Sequence, residues 1–78
     1  MVAQGKPDPR VEVARRLVIE AQARVDHQRE LLAQLRRDGR TTDHAERFLA
    51  LLETTLRQMM RHAEILMAEV KEDDDRQR

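Results

Sequence analysis

The side chains with chemical reach in this sequence are three histidines, four threonines, and carboxylates and cations in equal supply. His27, His44 and His62 are the candidate metal ligands. Helical metal sites use Glu-x-x-His or His-Glu-x-x-His, because a step of three or four residues brings two ligands to one helix face. Neither spacing occurs here. His27 and His62 could meet only across an interface between two copies, and His44 falls in a first helical turn, where positive charge is mildly unfavourable. All three are expected to be ordinary polar or interface residues, with no metal.

Nucleophilic catalysis has little to draw on. The chain has no Cys, Ser, Tyr or Trp, and its hydroxyls are those of Thr41, Thr42, Thr54 and Thr55. No glycine-rich loop is present to cradle a phosphate. The expectation is a protein that is not an enzyme, with no catalytic or cofactor-binding residues and no cofactor. Arg36, Arg37, Arg40 and Arg47 cluster mid-chain, but Asp38, Asp43 and Glu46 dilute their field. No aromatic residues are interleaved for base stacking. Nucleic acid is therefore not an expected partner.

Composition supports the same exclusions. Of 78 residues, 38% are charged, with fifteen acidic and fifteen basic side chains. Hydrophobic residues make up 40%, yet only Phe48 is aromatic. Without cysteine there is no disulfide or thiolate chemistry. No apolar run reaches the ~20 residues of a membrane span, and no signal-peptide core follows Met1. These features argue against a membrane partner.

The elements that position these groups are two helices. Residues 1–8 read as a disordered leader ending on Asp8, which with Pro9 makes a strong helix start. The first helix is predicted over 9–38. Gly39 can take the left-handed conformation that closes a helix, and Arg36 and Arg37 suit the negative end of the dipole. A turn over 39–42 follows. The second helix is predicted over 43–70, with Asp43 and Glu46 at capping-box spacing and Thr42 as the other candidate cap. The acidic tail, 71–78, is expected to fray, since negative charge is unfavourable at a helix C-terminus.

Both helices repeat apolar or small residues at alternating steps of three and four. The first carries Val11, Ala14, Val18, Ala21, Val25, Gln28, Leu32 and Leu35; the second carries Ala45, Leu49, Leu52, Leu56, Met59, Ala63, Leu66 and Val70. Gln28 is the one polar break. Folding the chain back at the turn sets Leu35 against Ala45, Val25 against Leu56 and Val11 against Val70, so every layer is filled. The same register places Arg36 by Glu46 and Arg29 by Glu53. Within helices, Glu12–Arg16, Glu20–Arg24 and Glu53–Arg57 have favourable four-residue spacing. The fold class is all-α: an antiparallel two-helix coiled-coil hairpin.

A two-helix seam is only one layer deep, and the sequence offers more apolar surface. Leu17, Leu31 and Phe48 lie on the edge away from the Arg–Glu pairs, with Val13, Leu51 and Ile65 one position further round. These six are the expected interface of a homodimer, two hairpins forming a four-helix bundle. The stripe has a polar middle: Glu20, Arg24 and His27 on one helix, Thr55, Gln58 and His62 on the other. On the opposite edge Ile19, Met60 and Met67 make a possible partner patch, since methionine surfaces adapt to varied partners. The stems of Arg15 and Gln22 could equally cover it.

The run Arg29-Glu30-Leu31-Leu32-Ala33-Gln34-Leu35-Arg36-Arg37-Asp38-Gly39, followed by Thr42, Ala45-Glu46, Leu49, Leu52-Glu53 and Thr55-Leu56, resembles an uncharacterised family of short helical-hairpin proteins of rhizobial-type alphaproteobacteria. The likeness covers about residues 12–70. It implies a bacterial, cytoplasmic hairpin and brings no activity, cofactor or site residue with it. The Met59-Met60 step and the acidic tail depart from the family's pattern. The functional expectation is a self-associating structural or protein-interaction module. The alternative is a small regulator docking on a larger signalling or nucleic-acid-processing protein.

Overall fold

The protein is described by a computed structural model covering residues 8–76. The leader up to Pro7 and the last two tail residues lie outside the described residues. Two helices, α1 (Pro9–Arg37) and α2 (Asp43–Arg76), pack against each other as a hairpin, and no strand occurs among the described residues.

Local chemistry explains each helix end. Asp8 caps α1: its carboxylate accepts the Arg10 backbone N–H at 2.8 Å, and Pro9 fills the first helical position. At the other end Gly39 adopts φ +67°. Its N–H donates to the Arg36 carbonyl at 3.1 Å, and the Arg40 N–H donates to the Leu35 carbonyl at 2.9 Å. Those two bonds close a Schellman motif and satisfy carbonyls that the helix leaves without partners.

The start of α2 differs from the capping-box expectation. Asp43 is the first helical residue, and Thr42 occupies the cap position, its carbonyl accepting the Glu46 N–H at 2.8 Å. The Thr42 hydroxyl donates to Glu46 Oε1 at 3.2 Å. The same carboxylate oxygen takes Arg36, so Glu46 is drawn toward α1 rather than back to the backbone. The end of α2 also differs. The helix continues past Val70 to Arg76, where the expected tail begins at Lys71. No Gly or Pro interrupts that stretch, and Lys71, Glu72 and Arg76 favour the helix, although Asp73, Asp74 and Asp75 do not. Arg76 in the last turn offsets the acidic run against the dipole.

The seam sits where the periodicity places it. Ala21, Val25 and Leu56 form the buried centre, with Val18, Leu49, Leu52 and Met59 packed against them. Val25 is fully enclosed, at 0% exposure. Both cross-seam ion pairs form, Arg29–Glu53 at 3.0 Å and Arg36–Glu46 at 3.2 Å, which fixes the register. The three four-residue pairs within helices do not form. Glu53 turns across the seam to Arg29, and Arg57 donates instead to the Thr54 hydroxyl at 3.2 Å. Such exposed pairs gain little in water, so competing partners decide.

The result is a rod one helix thick, 61 × 23 × 13 Å. Its radius of gyration is 18.2 Å, against about 11 Å for a compact chain of this length. A rod of this shape has no enclosed interior beyond the seam.

Candidate interaction face

The buried part of the molecule is small in every sense. Its hydrophobic members are Ala14, Ala21, Val25, Leu32, Ala45, Leu56 and Ala63, more of them alanine than anything larger. The large apolar side chains are outside. Val13, Leu17, Leu31, Phe48, Leu51 and Ile65 are all exposed, Leu51 to 65%. So are Ile19, at 68%, Met60 and Met67.

Helix geometry sorts these residues onto two edges of the seam. On the edge away from the ion pairs, Leu31, Phe48 and Leu51 gather toward the turn. Phe48 borders a shallow groove with Ala23, Arg24, His27 and Leu52, floored by Gln28. Toward the open end Val13 and Leu17 line a second groove with His62 and Leu66, and Ile65 lies beside it in α2. Between the two apolar clusters runs the polar waist of Glu20, Arg24, Thr55 and Gln58. No waist residue forms an ion pair with a described residue. His27 and His62 face the same edge but line different grooves, so a single hairpin does not bring them together.

The opposite edge is narrower. Ile19 and Met60 flank a groove with Arg15, Val18, Ala63 and Glu64. The Arg15 stem does line this patch. Gln22 does not cover it by hydrogen bonding; its amide donates to Asp26 at 3.0 Å along α1.

Gln28 is the residue whose role the sequence did not disclose. It is 6% exposed, and its side-chain amide donates to the main-chain carbonyl of Ala45 at 3.1 Å. A carbonyl has two lone pairs, so Ala45 can accept Gln28 in addition to its helical donor. No buried side-chain polar atom among the described residues lacks a partner. A single amide in an apolar seam is a known device for fixing helix register, and that spacing signal was present.

The titratable groups offer little chemistry. Asp8 and Arg10 are perturbed chiefly by their mutual hydrogen bonds, which lower the Asp8 carboxyl and raise the Arg10 guanidinium; the charges of Glu69 and Asp73 add to the Arg10 shift. Among the described residues no group of three or more His, Asp or Glu side chains is placed to hold a metal ion. No helix among them is long and apolar enough to cross a membrane. Comparison with protein families, with curated proteins and with solved structures found no match to this chain.

Proposed function

We propose that this chain is a non-enzymatic, cytoplasmic interaction module, two hairpins associating through the wide edge into a four-helix bundle. The observation that carries the reading is the inversion of large and small apolar residues. Among the described residues alanine dominates the interior, while nine large hydrophobic side chains lie on the surface. The accessible surface is 6764 Å² for 9.2 kDa, against about 4,900 Å² for a compact monomer of that mass. Apolar area is stabilising only when removed from water, at roughly 25 cal/mol per Å². A second copy covers Val13, Leu17, Leu31, Phe48, Leu51 and Ile65 together, because all six share one edge.

The test is mass by light scattering across a dilution series. The wild-type chain is expected at dimer mass, and Leu31→Glu with Phe48→Glu as monomer or unfolded chain. Arg57→Ala, on the outer face, should leave the mass unchanged. An intact dimer in the double variant rejects this edge as the interface.

A second reading draws on Ile19, Met60 and Met67. They lie on the other edge, so a bundle built on the wide edge leaves them uncovered. That favours a docking role on a larger signalling or nucleic-acid-processing protein. A monomeric wild-type chain would make this reading the stronger one.

A further inference from the structure

The two ends of the hairpin carry opposite charge. At the turn, Arg36 is matched by Glu46, while Arg37, Arg40 and Arg47 form no ion pair with any described residue and outweigh Asp38 and Asp43 by one positive charge. At the open end α2 remains helical to Arg76 and carries Glu72, Asp73, Asp74 and Asp75. The register that sets Val11 beside Val70 puts Pro9 level with Glu72. The stretch from Asp73 to Asp75 therefore projects past the start of α1, beyond the reach of most of its cations. Arg10 feels the charge of Asp73, while Asp74 and Asp75 have no ion-pair partner among the described residues.

The apolar clusters supply a second measure. Leu31 and Leu17 stand one heptad to either side of Arg24, and on α2 Phe48 and Ile65 flank Thr55 and Gln58 in the same way. The wide edge is thus nearly symmetric about its waist. A second copy turned end for end lays its Leu31 on Leu17 and its Phe48 by Ile65. In that arrangement Glu20 comes level with the second copy's His27. The acidic overhang then falls beside the second copy's turn, with Asp73 level with Arg40. A turn-to-turn pairing would also join apolar clusters, but it would crowd the arginine-rich turns together and both acidic overhangs together. Apolar complementarity leaves the two arrangements equal, and charge separates them.

We infer that the occupant of the wide edge is a second copy of this chain docked antiparallel, its basic turn on the acidic overhang of α2. This rests on the self-association just proposed, and the experiment separates the two. The chain has no cysteine, so Thr41→Cys and Ala68→Cys each accept one nitroxide label, at exposed positions that leave every charge of the turn and the overhang in place. Light scattering gives the mass of each labelled sample, and pulsed electron resonance gives label-to-label distances. At 1.5 Å per residue, the antiparallel dimer has same-site distances of about 30–50 Å. A refolded equal mixture of the two variants adds a short distance, under about 25 Å for helices spaced 8–10 Å apart. Dimer mass with short same-site distances overturns the orientation and leaves self-association standing. Monomer mass overturns both.

Discussion

The Gln28 side chain donates to the Ala45 carbonyl, 3.1 Å away across the hairpin. Among the described residues it is the one side-chain hydrogen bond that ties the helices together inside the seam; the Arg29–Glu53 and Arg36–Glu46 pairs lie on its exposed rim. The methyl group of Ala45 leaves room for the amide to reach the backbone. Gln28→Leu removes the bond without stranding an acceptor, since the Ala45 carbonyl keeps its helical partner. Its effect on a urea unfolding midpoint is expected to stay within about 1 kcal/mol in either direction. Gln28→Glu instead sets a buried carboxylate against a carbonyl, two acceptors with no proton between them. A loss of about 2 kcal/mol or more is expected at neutral pH, shrinking as acid protonates the new side chain. Equal midpoints for the two variants at neutral pH would show that the amide is not enclosed.

Gly39 isolates the backbone contribution of the turn. Its φ of +67° is costly for any residue with a Cβ, yet no atom lies within 4 Å of where that Cβ would go. Gly39→Ala is therefore expected to cost about 1 kcal/mol through conformation alone. Gly39→Asn should cost less, because Asn tolerates the left-handed region. Denaturant midpoints ranking Gly above Asn above Ala support this, and an Ala variant as stable as the wild type contradicts it.

Most of the fold was legible because it depends on short-range signals that compete with little else. Asp8-Pro9 and Asp38-Gly39 are strong boundaries, and two seams of alternating three- and four-residue steps admit one register. The less legible features are those in which several partners compete for one group. Glu46 has Thr42, Arg36 and its own backbone within reach, and only the packed geometry selects among them. The end of α2 was obscured because the acidic run over Lys71–Asp75 opposes the dipole and its three Asp residues are poor helix formers, yet the helix runs on to Arg76. The nine exposed apolar residues were readable from helix periodicity. Which of them meet another surface depends on a second molecule, and a single chain's sequence encodes that only through its charge pattern.

Leu56 and Leu51 distinguish the energetics of the hairpin from those of its assembly. Leu56 is in the buried centre and Leu51 is largely exposed. Leu56→Ala is expected to cost about 2–3 kcal/mol at every protein concentration, the lower part of the range for leucine truncation, because a thin seam can partly collapse. Leu51→Ala should cost under about 0.5 kcal/mol in dilute, monomeric chain. At concentrations where the dimer forms, its penalty should grow, because dimer stability is linked to protomer concentration. Thermal melts of both variants over a hundredfold concentration range make the comparison. A concentration-independent Leu51→Ala penalty would remove Leu51 from the interface.

The first turn of α1 should respond to acid. The Arg10 side chain hydrogen-bonds to Asp8 at 3.0 Å, and the Arg10 backbone N–H bonds to the same carboxylate at 2.8 Å. These, in that order, hold the Asp8 carboxyl below its ordinary range. A carboxyl whose folded pKa is depressed stabilises the folded state fully above its unfolded pKa, and that contribution fades as pH falls through the folded value. Loss of the cap is therefore expected only below about pH 4, where a free aspartate is already half protonated. Carbon-detected NMR titration should place the Asp8 midpoint below that of an unstructured aspartyl peptide. Hydrogen exchange at the first-turn amides should accelerate over the same interval. Asp8→Asn keeps an oxygen acceptor for the Arg10 N–H but cannot titrate, so its first turn should hold steady through that interval, while Asp8→Ala should fray at every pH. An Asp8 midpoint at or above the peptide value would mean that the carboxylate neither caps the helix nor engages Arg10 in solution.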